Sequence, residues 1–209
     1  SRNILKNVDF KISANTRVGI VGETGSGKTT TVDIILGLLE PEKGSLEVDG
    51  ILIDETNKRS WQRSIGYVPQ HINLIDDTLS ANIAFGIEAN EINHDAVLNA
   101  SKIANLHEFV INELSDKYQT TIGERGVRLS GGQRQRIGIA RALYRKPQVL
   151  ILDEATSALD NLTEQKVMEE VSKLRNNLTV ILITHRLTTV KNCDKIFLLD
   201  KGKLVGQGL

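Results

Sequence analysis

Three short runs of large aliphatic residues constrain this chain more than any other feature: "VLIL" at 149–152, "VILI" at 180–183 and "IFLL" at 196–199. A strand with one wet face alternates apolar and polar residues. A continuous apolar run bounded by polar residues instead suits a strand of a parallel sheet covered on both faces. None of the runs approaches the ~18 residues needed to span a bilayer, so none of them crosses a membrane. A helical pattern, "NLTEQKVMEEVSKLR", separates the first two. Strand alternating with helix is the signature of an α/β architecture.

The remainder of the 209 residues fits a single domain, 1–209. "ILKNVDFKI" alternates and predicts short strands, after which "RVGIV" is a buried strand running into a glycine-rich turn. A helix is predicted from Lys28 to Leu39, a hairpin through Asp49-Gly50, and a buried strand in "SIGYVPQ". From Thr78 to Arg145 the pattern is helical, broken near "DKYQTTIGERGVRLSGG". The expected division is therefore a sheet-bearing core over about 1–70 and 146–209, with a helical insertion over about 71–145. The final "KGKLVGQGL" carries no evident closing element. With no initiator Met and no signal segment at the start, the expectation is a fragment of a longer polypeptide. Acidic and basic side chains balance at 26 each, which argues against a nucleic-acid partner and against a polybasic membrane tether. Cys193 is the only cysteine; it allows no internal disulfide and fits a reducing compartment.

"GETGSGKT" at 22–29 matches G-x-x-x-x-G-K-[ST] between a buried strand and a helix, where a phosphate-cradling loop must lie. Gly22, Glu23, Thr24, Gly25, Ser26, Gly27, Lys28, Thr29 and the adjoining Thr30 are the expected nucleotide-binding residues. Backbone N–H groups would surround phosphate oxygens, Lys28 would reach the outer phosphates, and the Thr29 hydroxyl would ligate Mg²⁺. "VLILDEATSALD" supplies a strand ending in two carboxylates. Asp153 is placed to hold the metal and Glu154 to polarise an attacking water. Gln70, after "YVP", would bring a side-chain oxygen to the same ion or sense it. His185 ends another predicted parallel strand, where side chains project into the crevice at the carboxyl edge of the sheet, suited to bonding a γ-phosphate. The expected catalytic set is Glu154, His185 and Gln70, and the expected metal set Thr29, Gln70 and Asp153.

A second anion-like feature stands in "LSGGQRQRIGIARAL" at 129–143: small residues at the mouth of a helix, where free N–H groups and the helix dipole point outward together. Ile137, Ala140 and Leu143 recur at helical spacing and should pack inward, whereas Arg134, Arg141 and Arg145 should be solvated or salt-bridged.

Together "GETGSGKTT", Gln70 after "YVP", "LSGGQ", "LILDEATSALD" and His185 in "THR" resemble the nucleotide-binding domain of an ABC transporter, in the right order and over nearly the whole chain. The resemblance implies a P-loop NTPase (RecA-like) α/β core with a mostly parallel sheet, an N-terminal antiparallel β subdomain and an inserted α-helical subdomain. It implies ATP and Mg²⁺ as cofactors. Its partner is a second ABC ATPase domain, packed head to tail in a homodimer or heterodimer. Ser130, Gly131, Gly132 and Gln133 would contact the partner's nucleotide. Asp160 would lie at the dimer seam, or act more simply as a helix cap, and the two roles are compatible. Glu124-Arg125-Gly126 and "DDTLSANIAFG" at 76–86 resemble segments of exporters and flippases. A transmembrane domain would then precede Ser1 in the same polypeptide, and this domain would sit at the cytoplasmic face of a membrane. The alternative is a soluble ABC ATPase of DNA repair, ribosome association or iron–sulfur assembly. In one respect the chain departs from the family: the aromatic that stacks on adenine would fall upstream of Ser1. Phe10 sits too near the phosphate loop to replace it, so the stacking partner is expected to be missing from this stretch, although Ile4 could still touch the base.

Overall fold

The computed structural model describes residues 4–123, 127–174, 176–186 and 188–208. The chain runs β1 (Arg17–Val21), α1 (Lys28–Ile35), β2 (Glu47–Val48), β3 (Ile51–Leu52), α2 (Lys58–Arg63) and β4 (Ile65–Val68). It continues through β5 (Asp77–Thr78), α3 (Leu79–Ile83), α4 (His94–Ile103), α5 (His107–Glu113), β6 (Thr121–Ile122) and α6 (Gly131–Tyr144). It ends with β7 (Val149–Asp153), α7 (Asn161–Ser172), β8 (Thr179–Thr184), β9 (Lys195–Asp200) and β10 (Lys203–Gly208). Six strands form the central sheet in the order β10-β9-β1-β8-β7-β4, parallel throughout except for β10. The two small antiparallel pairs, β2–β3 and β5–β6, stand apart from it.

Two of the three unalternating runs are buried on both faces, as their composition leads one to expect: Leu150–Leu152 of β7 and all six residues of β8 are inaccessible. The third, 196–199 in β9, is not, since Phe197 and Leu199 are buried but Leu198, on the other face, is 43% exposed beside the edge strand β10. Successive side chains serve two cores. Val18, Ile20, Ile151, Ile181 and Ile183 pack with Val32 and Ile35 of α1 and with Phe197. Val21, Leu150, Leu152, Val180 and Leu182 pack on the opposite face, in the core that includes Ile137 and Ala140 of α6 and Val167 of α7. The register aligns the carboxyl ends of four strands: Val68 lies opposite Leu152, Asp153 opposite Ile183, and Val21 opposite Thr184. Whatever follows those ends is gathered along one edge.

Three local expectations change. Residues 4–12 enter no ladder, although Val8, Phe10 and Ile12 do face the core, with the Phe10 ring 4.7 Å from that of Phe197. A period of two specifies a buried face but not a partner strand. Helix α1 stops at Ile35 rather than Leu39, because Gly37 turns left-handed (φ 66°) and closes the end, with Gly37 N–H donating to Ile34 O at 2.9 Å and Leu38 N–H to Asp33 O at 2.8 Å. The carbonyls freed there are met from α2: Trp61 Nε1 donates to Ile35 O at 2.7 Å and Gln62 Nε2 to Leu36 O at 3.0 Å. Finally, the segment with no expected closing element forms β10, antiparallel to β9 at the sheet edge. The predicted hairpin through Asp49-Gly50 is present as β2–β3.

Candidate functional site

The phosphate-loop sequence leaves the carboxyl end of β1 and enters α1 at Gly27, whose φ of 107° lies in the left-handed region that side chains disfavour. No side chain caps this helix, so its first N–H groups are not claimed by a local acceptor. Lys28 Nζ folds back to donate to Gly22 O at 2.7 Å and Glu23 O at 3.0 Å. Those partners are neutral dipoles, weaker for an ammonium than a charged oxygen. Ser26 Oγ is buried without a hydrogen-bond partner, a costly state that a ligand oxygen would relieve. The loop is braced from behind: Gly202 N–H donates to Ser26 O at 2.9 Å, and Gly202 O accepts from Lys6 N–H at 2.7 Å. A Cβ at Gly202 would lie 1.8 Å from Ile4 O, so only glycine fits that turn.

The three residues expected to be catalytic meet. Glu154 Oε2 accepts from Gln70 Nε2 at 2.9 Å, and Glu154 Oε1 lies 3.0 Å from His185 Nδ1. The Glu154 side chain is 18% exposed and His185 57%, so the carboxylate is recessed and the imidazole faces outward. Glu154 has φ 49°, an uncommon backbone for a non-glycine residue, and its N–H is tied to Ile183 O at 2.9 Å. Asp153 ends β7, and its Oδ2 accepts from Tyr67 Oη at 3.2 Å. Burial lifts the Asp153 carboxyl above its ordinary value; the Tyr67 bond and Lys28 work the other way, while the neighbouring Glu154 adds to the rise. Burial, with Asp153 beside it, pushes the Tyr67 hydroxyl up to about 12, so it remains a donor. Tyr67 was not among the expected site residues. Opposite Ile151 in the parallel register, it shares a face with Asp153 two residues on, a relation visible only once the strand pairing is known.

The "LSGGQ" turn is built differently. Ser130 caps α6 in a reciprocal box: Ser130 Oγ accepts from Gln133 N–H at 3.1 Å and Gln133 Oε1 from Ser130 N–H at 2.7 Å. The Ser130 hydroxyl hydrogen remains available to an outside acceptor. Asp160 caps α7, its Oδ1 accepting from Thr163 N–H at 2.9 Å. Hydrogen bonds from Thr163 hold that carboxyl below its ordinary value. Ile137, Ala140 and Leu143 are buried as expected. Arg141, expected to be solvated or salt-bridged, is half-buried and bonds to carbonyls instead. It donates to Asn82 O at 2.8 Å and Asn73 O at 3.0 Å, and its guanidinium sits 4.8 Å over the Phe85 ring. The arginine thereby fixes the 73–85 segment to α6, a role invisible in sequence because carbonyls carry no residue identity. Glu124, Arg125 and Gly126 lie outside the described residues.

Among the described residues no group of three His, Cys, Asp or Glu side chains could hold a metal, and no helix is long and apolar enough to cross a membrane. Known proteins align closely with this chain. Residues 5–157 match the model of the family described as ABC transporter. The ATP-dependent lipid A-core flippase of Francisella novicida is 46% identical over 205 residues, covering 98% of this chain and 34% of the flippase. ABC transporter B family member 22 of Arabidopsis thaliana is 44% identical over 205 residues, 98% of this chain and 17% of that protein. A bacterial Atm1-family ABC exporter solved with ATP bound superimposes with a TM-score of 0.92 at 39% identity, covering 99% of this chain and 36% of the exporter. The chain thus spans about a third or less of the length of these relatives. Fold, motif geometry and relatives agree that the chain belongs to the ABC transporter family, as its ATPase domain.

Proposed function

We propose that this chain is the motor of an exporter or flippase: it binds Mg²⁺-ATP on the 22–30 loop and hydrolyses it with Glu154 as general base. The observation that carries the reading is the recessed Glu154 carboxylate held between Gln70 and His185. Two contacts fix its direction, as a base that must meet one water requires. Lys28 would exchange its two carbonyl partners for phosphate oxygens, and the first turn of α1 would offer its unclaimed N–H groups to the same anion. The unpartnered Ser26 hydroxyl and the uncapped helix suit a phosphate chain. Thr29, Gln70 and Asp153 provide the hard oxygen donors for Mg²⁺, which when bound would offset the negative charge of the phosphates. His185, exposed beside Glu154, would bond the terminal phosphate.

Ser130, Gly131, Gly132 and Gln133 would serve the nucleotide of a second ABC ATPase domain packed head to tail, with Asp160 at the seam. The terminal phosphate would then be gripped from both sides, and its loss would part the pair. The relatives include a flippase and an exporter, which favours transport over a soluble ATPase. The membrane-spanning portion would belong to the same longer polypeptide, placing this domain at the cytoplasmic face. Replacing Glu154 by Gln keeps the shape and removes the base. ATP turnover of the full-length protein should fall by about a hundredfold or more while ATP binding persists; turnover at the wild-type rate removes Glu154 from the role.

A further inference from the structure

Gln135 sits on α6 just past the "LSGGQ" turn, only 4% exposed, and none of the roles above uses it. Its Oε1 accepts from Ala158 N–H at 2.9 Å. Because that backbone group can only donate, the orientation of the amide is fixed. The Nε2 end then lies 3.5 Å from Glu154 O and 3.4 Å from Ser157 Oγ, long contacts directed at the same loop, 154–158. The first turn of α6 lies directly on this loop. A Cβ at Gly132 would come 3.2 Å from Ala158 O, and one at Gly131 would come 3.4 Å from Ala158 Cβ. Arg186 Nη2 holds the loop's other side, donating to Ser157 O at 3.3 Å. The left-handed backbone of Glu154 persists only while its surroundings over-determine it. Ile183 O ties its N–H, and Gln135 clamps the residues that follow.

We propose that Gln135 is a positioning residue: it joins the Ser130–Gln133 turn to the loop carrying Glu154, so that the turn facing the partner's nucleotide and the carboxylate serving this chain's own move as one body. This rests on the function proposed above. It assigns Gly132 a second task, since a Cβ there would press on Ala158 O and the loop would have to give way by a few tenths of an ångström. It also gives a half-site a way to register its neighbour: displacement of the turn reaches Glu154 through one buried amide.

Gln135→Met keeps length and volume but neither donates nor accepts a firm bond. In the full-length protein, its kcat for ATP hydrolysis should fall on the order of tenfold to a hundredfold, as for a misplaced catalytic group, with KM and ATP binding within about twofold. Ser157→Ala removes one of the contacts. If both substitutions act through this clamp, the double variant should be no slower than Gln135→Met alone. Multiplied effects would instead mean that the two act independently, and would overturn the clamp. Should Gln135→Met fail to bind ATP, Gln135→Glu carries the test, since it keeps the acceptor for Ala158 and loses the donors. Reduced kcat with intact binding supports the proposal, and wild-type kcat overturns it. Wild-type kcat in Gln135→Met beside an inactive Glu154→Gln ends the role of Gln135 and leaves the proposed function standing; wild-type turnover in Glu154→Gln ends both.

Discussion

Two helices of this chain begin with glycine-rich turns, and they begin in opposite ways. Helix α1 starts at Gly27 with no side-chain cap, whereas α6 starts at Ser130 with a reciprocal capping box. The first leaves its terminal donors to be met by something else and adds a lysine whose present partners are only carbonyls. The second already satisfies part of its own terminus, so it is stable without a ligand and offers an outward face with spare donors. One turn is therefore built to hold an anion by itself. The other, on the function proposed above, would complete a site whose remaining walls come from elsewhere.

That contrast breaks most sharply at Lys28. Lys28→Ala should weaken ATP binding by the single chain about a hundredfold, because it deletes a charge-assisted contact to the outer phosphates; titration with a fluorescent ATP analogue measures it. Ser130→Arg should leave that affinity within about twofold yet weaken ATP-dependent association at least about tenfold, since a bulky cation would fill the face proposed above to meet a partner's nucleotide. Sedimentation with the Glu154→Gln background, which traps ATP, reports the association. If Ser130→Arg also destroys single-chain binding, the serine matters through its cap, and the two turns are less different than they look. Ser130→Ala isolates that cap and should cost about 1 kcal/mol in denaturant unfolding.

Away from the two turns, Arg141→Met should destabilise the fold by about 2–4 kcal/mol, because the carbonyls of Asn73 and Asn82 lose their donors where Asn82 is buried. Chemical denaturation of the nucleotide-free protein would show this, while single-chain ATP affinity should hardly move. The smallest effect concerns Asp153. Burial raises its folded-state pKa, so the native state takes up a proton more readily than the unfolded chain. The ionised carboxylate is then a cost at neutral pH that shrinks as pH falls through the folded value and is gone below the unfolded one. Asp153→Asn should stabilise the metal-free, nucleotide-free protein at pH 7 by less than about 1 kcal/mol, the carboxyl being only partly buried, and the gain should shrink on acidification. A gain that grows on acidification would reverse the sign of the argument.

The phosphate loop, the paired carboxylates, Gln70 and His185 were legible because each joins a distinctive residue type to the end of a recognisable strand. The meeting of Gln70 and His185 on one carboxylate follows once those strands align. What stayed hidden has a common cause: its partner is backbone, or lies across a register the sequence does not print. Gln135 answers Ala158 N–H, Arg141 answers two carbonyls, and Trp61 answers Ile35 O at the end of a helix 26 positions earlier. Any residue supplies such groups, so no pattern of side chains announces them. The alternation at 4–12 shows the same limit from the other direction, since it oriented the side chains correctly while implying a ladder that is not there.

The Gly202 turn carries a practical corollary. It is wedged between Ser26 and the opening segment, bonded to both, with no room for even one added carbon. A genetic lesion there, about 175 residues past the phosphate loop, would therefore masquerade as a defect in that loop, and a survey of harmful variants confined to recognised motifs would overlook it.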